Sequence, residues 1–279
     1  SAESLAEQLQ DFQIQEEEFI EHEIFQRNCY EPLQPIEVPE PLIVDAGANV
    51  GLFAFWALNR WTTCRLICIE PLPPSVKILR ENLSKAGDRA LIVAAALGAK
   101  EEVAEFFYFP WAPGESTRHV HEAAEQRERL WVAAAESGVA APPNLKKLAT
   151  PQLQESFQCR VQRMSTLMRP LKTRKGQPAY VDLLKVDVEG DEEAVFQGID
   201  AEDWPRIRQV VAEVHDIDGR LQRIQQLLQE KGFVVEIRQQ LPCHEEGYFA
   251  FIPECLRLFH IRAARRTKRG APVESAEKR

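Results

Sequence analysis

The sequence has no apolar stretch long enough to cross a bilayer. Its longest uninterrupted apolar run, Ala90–Leu97, has eight residues, whereas a membrane-spanning helix needs about 20. No basic-then-apolar leader opens the sequence, so nothing in it predicts secretion. The six cysteines are scattered, with no CxxC pair among them. We therefore expect reduced thiols rather than a disulfide framework, in a cytoplasmic protein without a membrane partner.

The sequence also lacks a clustered basic surface. Its net charge is −9, and residues 1–40 hold eleven acidic residues against one basic residue, Arg27. That segment therefore carries −10 and the remainder about +1. Nucleic-acid binding needs a basic face that neutralises phosphates, so we exclude nucleic acid as a partner. Residues 263–279 reverse the sign and contain Gly270 and Pro272, which is typical of a solvated tail or linker.

The remaining composition is that of a globular protein, since 44% of the 279 residues are hydrophobic. Residues 1–40 combine an amphipathic helical pattern with a proline-rich end, which predicts an N-terminal helical arm. Residues 41–262 alternate between apolar strand patterns and helical patterns, which predicts a parallel sheet covered on both faces. We predict strands at 41–46, 64–70, 90–97, 102–109 (exposed), 157–164, 180–188, 208–214, 233–238 and 255–262, and helices at 51–61, 73–86, 192–198 and 220–231.

Residues 111–155 interrupt this alternation. They are rich in Ala, Glu and Pro and show one helical pattern, at 121–135, without a strand pattern. We expect this segment to form an inserted helical cap over the ligand pocket. The predicted fold class is therefore α/β, a doubly wound sheet with an N-terminal helical arm and a helical cap insertion.

The sharpest local pattern, LIVDAGANVG at 42–51, joins a strand to a helix. Gly47 suits a positive φ and a ligand close to the backbone, and Gly51 lets the helix pack closely on the strand. A dinucleotide-binding loop has the pattern GxGxxG, but Asn49 stands at its middle glycine. Asp45 also adds negative charge where a pyrophosphate would lie. The loop therefore favours a ligand with a cationic end, and S-adenosylmethionine is such a ligand.

A second carboxylate ends the next predicted strand. Glu70 lies 25 residues after Asp45, one strand–helix–strand interval further along the chain. A carboxylate at this strand end can accept hydrogen bonds from both ribose hydroxyl groups, as the acidic residue of dinucleotide sites does. A lone glutamate at a strand end is usually only solvated, but its pairing with Asp45 favours ligand binding.

Two further acidic motifs end later strands, LKVDVEGDE at 184–192 and VAEVHD at 211–216. Substrates of open α/β sheets bind outside the carboxyl ends of the strands. If these two strands are neighbours, Glu189 and His215 lie at adjacent tips, and Lys185 can form a buried ion pair with Glu213.

A carboxylate that holds a neutral imidazole in one tautomer is the usual arrangement of a general base. We therefore predict that His215 is the base and that Glu189 orients it. The alternative is a surface histidine at a strand end.

Four motifs, in this order and spacing, resemble those of the FkbM-type methyltransferases: VDAGANVGLF, IEPLPPS, LLKVDVEGDE and VVAEVHD. The stretch HEIFQRNCY resembles the subset embedded as O-methyltransferase domains in polyketide synthases and peptide synthetases. The resemblance implies a Rossmann-like class I methyltransferase sheet of seven strands, the last antiparallel. It also implies S-adenosylmethionine bound by Asp45, Gly47, Asn49, Gly51, Glu70 and Asp187, with Ala96 near the adenine.

Together these patterns predict an S-adenosylmethionine-dependent O-methyltransferase. The resemblance implies that the acceptor is a hydroxyl group of an acyl chain on a carrier protein, with neighbouring synthase domains as partners. A rival hypothesis is metal-assisted methylation, with Asp187, Glu189 and His215 as ligands of Mg²⁺ or Mn²⁺. Two others are a non-catalytic cofactor-binding module of a synthase and a free-standing methyltransferase of sugars or small molecules.

Overall fold

The computed structural model describes residues 17–136, 154–173, 176–239 and 257–265. Ten strands lie in these residues. They are β1 Leu42–Ala46, β2 Arg65–Ile69, β3 Ala90–Val93, β4 Ala96–Leu97, β5 Glu102–Tyr108, β6 Glu155–Gln162, β7 Leu183–Val186, β8 Gln209–His215, β9 Phe233–Gln239 and β10 Leu258–Arg265.

Seven strands form one sheet in the order β3-β2-β1-β7-β8-β10-β9. The first five pair in parallel, whereas β10 runs antiparallel to both β8 and β9. This arrangement is the seven-strand sheet with an antiparallel last strand that the resemblance implied. The predicted fold class is therefore confirmed.

Helices connect the parallel strands. The helix after β2 begins with two prolines, whose missing N–H groups would have no partner in a first helical turn. Its buried Val76 and Leu79 form the apolar face that an amphipathic pattern predicts. The helices are α1 Leu52–Arg60, α2 Pro73–Asn82, α3 Val120–Glu136, α4 Met164–Met168, α5 Glu192–Gln197 and α6 Arg220–Glu230, and a 3₁₀ segment, Leu83–Arg89, follows α2.

Apolar side chains cover both faces of the sheet. In β1, Val44 belongs to one buried cluster and Ile43 to another, because successive side chains of a strand point to opposite faces. In the same way, Leu184 and Leu183 of β7 lie in different clusters. All five residues of β1 and all four of β7 are buried, as central strands of a parallel sheet require. The two strands that carry the VDAGANVG and LKVDVEGDE motifs are thus buried along their whole length.

The strand predicted at 90–97 is wrong as a single element. Ala90–Val93 is the edge strand β3, and the chain then turns so that Ala96–Leu97 joins a second, three-stranded sheet in the order β4-β6-β5. Leu91 is 55% exposed, so the apolar run does not form one continuous buried strand. The strand β5 is exposed in its first half, as predicted, with Val103 67% exposed, whereas Phe106 and Tyr108 are buried in this second sheet. An apolar run carries no signal for a change of sheet.

The N-terminal arm and the cap are described in part. Residues 17–21 are α-helical and continue into a π-helical turn, His22–Gln26. The helix predicted at 121–135 is found as α3. Residues 1–16, 137–153 and 266–279 lie outside the described residues, so the division into arm, domain with cap, and tail stays a prediction. Nowhere in the described ranges does a helix have the length and apolar character of a membrane span.

Candidate active site

A pocket lies at the carboxyl ends of the central strands. Its wall also includes the arm, through Phe19, Ile20 and Ile24, and the described part of the cap from Pro113 to Arg127. This location is where open α/β sheets bind their ligands. Most of the predicted site residues line it, namely Gly47, Asn49, Glu70, Ala96, Asp187, Glu189 and His215.

The loop after β1 is shaped by close backbone contacts. Gly47 has φ +80°, and a Cβ there would lie 1.6 Å from the carbonyl oxygen of Asp187. The contact between the loops after β1 and β7 therefore requires glycine at position 47, whether or not a ligand also approaches the backbone there. Asn49 also has a positive φ, of 45°, which asparagine tolerates better than most residues. Its Oδ1 is buried and has no hydrogen-bond partner among the residues that the structure describes, so they leave one acceptor of this loop unused.

Gly51 does not line the pocket, and close packing of its helix on the preceding strand does not by itself explain why this residue is glycine. It has φ +98° and precedes α1, and a Cβ there would lie 2.8 Å from Cδ1 of Leu79 in α2. The residue that comes close is thus in the next helix rather than in the preceding strand. Gly51 supports the loop by allowing α1 and α2 to pack.

Asp45 lies beneath the pocket instead of in its wall. Its side chain is fully buried, and Lys185 Nζ lies 3.1 Å from its Oδ1. The same ammonium group lies 3.3 Å from Oδ2 of Asp187 and donates a hydrogen bond of 2.7 Å to the carbonyl of Gly47. Burial raises the pKa of Asp45 to about 6, although Lys185 opposes this shift. Asp45 therefore acts on the ligand loop through Lys185.

The predicted ion pair between Lys185 and Glu213 is wrong. In the parallel register of β1 and β7, Asp45 lies directly beside Lys185, so the ammonium group faces the neighbouring strand on that side. Glu213 instead lies 3.2 Å from Nε2 of His260, on the antiparallel strand β10. Strand spacing along the sequence does not reveal which neighbour a buried charge will face.

Glu70 is held at the end of β2 by two backbone groups. Its Oε2 accepts a hydrogen bond from the Asn49 amide at 3.0 Å, and its Oε1 accepts one from the Leu72 amide at 2.9 Å. Burial raises the pKa of Glu70 to about 7, against the lowering effect of these two bonds. The carboxylate is thus fixed in one orientation, with acceptor capacity left on both oxygens.

His215 and Glu189 are neighbours, as the strand pattern predicted. β7 and β8 pair in parallel, and His215 Nε2 lies 3.4 Å from Oε2 of Glu189. A second carboxylate, Glu192, lies 3.2 Å from Nδ1. Burial lowers the pKa of His215, but Glu189 and Glu192 outweigh it and raise the pKa to about 10. Burial also raises the pKa of Glu189 well above its usual value.

Glu192 stands in the LKVDVEGDE motif, but its sequence context did not identify it as a site residue. Glu192 is the first residue of the short helix α5 and is fully buried. The chain turns at Gly190, whose φ is +108°, and this turn places Glu192 next to the His215 ring. No local pattern distinguishes it from its neighbour Glu193, which pairs with Arg223 at 2.8 Å nearer the surface.

Among the described residues, the group that could approach a divalent cation is Glu189, Glu213 and His215, whose ligand atoms all lie within 4.8 Å of one another. The rival hypothesis named Asp187 instead of Glu213. Asp187 is engaged elsewhere, because its Oδ2 accepts a 2.8 Å hydrogen bond from the Tyr30 hydroxyl group and lies near Lys185. The predicted metal set is therefore corrected.

Hydrogen bonds and ion pairs connect the described part of the cap to the loop that carries Glu189. Thr117 donates a hydrogen bond of 2.6 Å to the carbonyl oxygen of Glu189. Arg118 Nε lies 2.6 Å from Asp191, and His119 Nε2 lies 3.0 Å from the same carboxylate. These contacts join residues more than seventy positions apart, so no sequence pattern predicted them.

The open, mostly parallel seven-strand sheet with its antiparallel last strand is the arrangement of the class I methyltransferase fold. The family model described as the methyltransferase FkbM domain matches residues 45–235. This chain belongs to the FkbM methyltransferase family. It is therefore a methyltransferase, and the family implies S-adenosylmethionine as the methyl donor.

Relatives of two kinds match the chain. The 31-O-demethyl-FK506 methyltransferase FkbM of Streptomyces tacrolimicus is 33% identical over 226 residues, covering 80% of this chain and 84% of that protein. Methyltransferase sdnD of Sordaria araneosa is 32% identical over 233 residues, covering 78% and 82%. The AMB antimetabolite synthetase AmbE of Pseudomonas aeruginosa is 28% identical over 238 residues, covering 81% of this chain but 11% of the synthetase. Among solved structures, methyltransferase FkbM from Methylobacillus flagellatus KT has a TM-score of 0.47 at 13% identity, covering 82% of this chain and 45% of that one.

The polar side chains that line the pocket fit S-adenosylmethionine. Glu70, Asp187 and Glu189 line it, and carboxylates suit a ligand that carries sulfonium and ammonium charges. The fixed carboxylate of Glu70 matches a ribose diol, and Asn49 Oδ1 is an acceptor that the described residues leave unused. A polyphosphate would meet like charge from all three carboxylates.

Proposed function

We propose that this chain transfers the methyl group of S-adenosylmethionine to a hydroxyl group of a natural-product intermediate. The observation that carries this proposal is the placement of His215 and Glu189 on the same pocket as the Gly47–Asn49 loop and Glu70. A proton acceptor and a cofactor cradle are the two parts that O-methylation requires. The name of the Streptomyces relative states a 31-O-demethyl substrate, which supports oxygen as the acceptor atom.

The cofactor-binding residues divide into two groups. Glu70 would hold the ribose hydroxyl groups, Gly47 and Asn49 would hold the methionine end, Ala96 would lie near the adenine, and Asp187 would contribute negative charge. Asp45 and Gly51 support the loop from beneath. When bound, the cofactor supplies an electrophilic methyl group on a positively charged sulfur.

In this reaction His215 would take the proton of the acceptor hydroxyl group at Nε2, while the methyl group would pass from sulfur to that oxygen and leave S-adenosylhomocysteine. Its raised pKa means that the imidazole is protonated before the reactants bind. A positively charged cofactor in the same pocket would lower the pKa of this imidazole. General-base catalysis contributes about 10²–10⁴-fold to the rate, and the orientation of the two reactants must contribute much of the rest.

The arm and the cap complete the site by covering it. Tyr30 of the arm donates to Asp187, and Thr117 of the cap donates to the backbone of Glu189. Both segments therefore contact the strand-tip residues directly. Closing them over the reactants excludes water from the methyl transfer.

Two acceptors are consistent with this chemistry. The relatives FkbM and sdnD are matched over 84% and 82% of their own length, which favours a free small molecule as the acceptor. The match to a segment of the synthetase AmbE favours a second candidate, a β-hydroxyacyl chain on an acyl carrier protein, with neighbouring synthase domains as partners.

Mass spectrometry separates these candidates. The protein is incubated with S-adenosylmethionine and 3-hydroxybutyryl-acyl carrier protein, or with free 3-hydroxybutyrate and hydroxylated macrolides. A gain of one methylene on the carrier-bound chain supports the second candidate, and a gain on a free acceptor supports the first. Cofactor binding without transfer to any hydroxyl acceptor contradicts both and favours a non-catalytic module. Loss of activity in EDTA that Mg²⁺ restores would support the metal-assisted rival.

A further inference from the structure

The ring of His215 lies between two carboxylates that approach different nitrogens. Glu189 faces Nε2 at 3.4 Å, on the side where both residues line the pocket. Glu192 faces Nδ1 at 3.2 Å and is fully buried. The two acids stand three residues apart in the chain, yet only Glu189 belongs to the pocket wall.

We propose that Glu192 is the positioning residue of His215, accepting a hydrogen bond from Nδ1–H so that Nε2 is directed to the pocket. This inference rests on the proposed function, in which Nε2 takes the proton of the acceptor. A hydrogen bond at one ring nitrogen determines the role of the other. Glu189 is then free to act on the pocket side of the ring, next to the acceptor hydroxyl group.

Glu192 is itself held in place by a nearly complete set of donors. Its Oε1 also accepts the Gly190 amide at 2.8 Å, and its Oε2 accepts Arg220 Nη1 at 3.1 Å. The same guanidinium nitrogen donates to the backbone carbonyl of His215 at 3.1 Å. Arg220 therefore binds the histidine and its carboxylate together. Charge-assisted hydrogen bonds of this kind are stronger than neutral ones and restrict geometry.

The contacts that position His215 extend to the cap through Arg220. Arg220 Nη2 donates to Oε2 of Glu122, in helix α3, at 3.1 Å. A continuous set of contacts thus runs from Glu122 through Arg220 and Glu192 to His215. Glu122 also lines the pocket. Seating of the cap helix therefore stabilises the arginine that fixes the base.

A merely structural ion pair between Glu192 and Arg220 is the competing explanation. Buried pairs of this kind are common and say little about function. That explanation predicts that loss of the carboxylate affects the free energy of unfolding without a specific change at the imidazole Nδ1–H. The two explanations therefore make different predictions for one proton, the Nδ1–H of His215.

Nuclear magnetic resonance of the full chain with ¹⁵N-labelled histidine observes this proton. The Nδ1–H resonance of His215 should lie downfield and exchange slowly with water, and it is assigned by its absence from His215→Gln. In Glu192→Gln, where a neutral amide replaces the carboxylate, it should move upfield and exchange at least about tenfold faster. Glu193→Gln is the matched control, because Glu193 pairs with Arg223 instead and should leave the resonance unchanged.

An unchanged resonance and exchange rate in folded Glu192→Gln would overturn the proposal. If that variant does not fold, Arg220→Lys decides, since a single ammonium group does not reproduce the contacts of the two guanidinium nitrogens with Glu192 and Glu122. Exchange should again accelerate, and an unchanged rate overturns the proposal. Glu122→Gln should accelerate exchange less than either.

The measurement is made without cofactor or acceptor, so it fails or succeeds independently of the proposed function. A failure of calorimetry to detect S-adenosylmethionine binding would refute the function while leaving the positioning of His215 intact. Where methylation of an acceptor is found, Glu192→Gln should lower kcat with little change in cofactor affinity.

Discussion

Two ion-pair clusters border the pocket, and they use similar residues in different surroundings. The inner cluster holds Lys185 against Asp45 and Asp187, and the ammonium and the Asp45 carboxylate are almost completely buried. The outer cluster holds His215 between Glu189 and Glu192. The inner cation is a lysine whose pKa the two carboxylates raise against the effect of burial, so it stays charged. The outer cation is an imidazole, which can lose its proton.

This difference separates a structural cluster from a chemical one. Lys185 binds the carbonyl of Gly47 and so stabilises the shape of the cofactor loop. His215 has a pocket-facing carboxylate on one side and a buried carboxylate on the other. In the described part of the cap, Glu122 contacts Arg220, which contacts the outer cluster through Glu192.

Removal of the inner cation should have the largest effect on stability. Lys185→Met leaves Asp45 and Asp187 without their partner, and breaking a buried pair in this way costs about 3–5 kcal/mol. Urea unfolding should show this loss as a lower midpoint. Lys100→Met is the control, because Lys100 pairs with Glu102 at the surface, and its midpoint should stay near that of the wild type. Equal midpoints for the two variants would show that the inner cluster is not a structural unit.

Removal of the outer cation should have its largest effect on the rate. His215→Ala should lower kcat by about 10²-fold or more, the scale of general-base catalysis. Its affinity for S-adenosylmethionine should barely change, because the cofactor is held by other residues. Steady-state kinetics and calorimetry on the same variant provide both numbers. Near-full activity would eliminate His215 as the base.

Glu70 should control cofactor affinity. Glu70→Gln removes charge-assisted hydrogen bonds to the ribose, each worth about 1.5–3 kcal/mol. In the wild type, affinity should weaken as the pH falls through about 7, because the raised pKa lets Glu70 become protonated there. Calorimetry across this range should show that pH dependence in the wild type and in Glu81→Gln, but not in Glu70→Gln. A pH-independent wild type would contradict the ribose contact.

The smallest expected effect is a shift of the pH profile. With saturating cofactor, kcat/KM for the acceptor should rise with pH as the imidazole loses its proton, at a pH above the ordinary histidine value of about 6.5. Glu189→Gln removes a negative charge that stabilises the imidazolium, so the rising limb should move to lower pH. Glu193→Gln should leave it in place. A limb that moves to higher pH in Glu189→Gln would show that the charge of Glu189 does not stabilise the imidazolium.

The alternation of strands and helices could be predicted from the sequence because it depends on local periodicity. The neighbouring positions of His215 and Glu189 could also be predicted, since carboxyl ends of adjacent parallel strands meet at one edge. The partner of Lys185 could not, because it depends on the register of β1 against β7. The break after Val93 depends on a second sheet whose strands come from distant parts of the chain.

The contacts of the cap were beyond sequence reasoning for a similar reason. Glu122 lies 98 positions from Arg220, and Arg118 lies 73 positions from Asp191. Each is an ordinary charged residue in a helical or loop pattern. Only the folded chain brings them to the strand tips, and this is where the structure adds most to the proposed site.

The central claim is that His215 and Glu189 act as one proton-accepting unit, and a double-mutant cycle in kcat tests it most directly. His215→Ala, Glu189→Gln and the double variant are compared on the same acceptor with saturating S-adenosylmethionine. If the two residues act together, the double variant should lose little more than His215→Ala alone. A loss equal to the product of the two single losses would contradict the account.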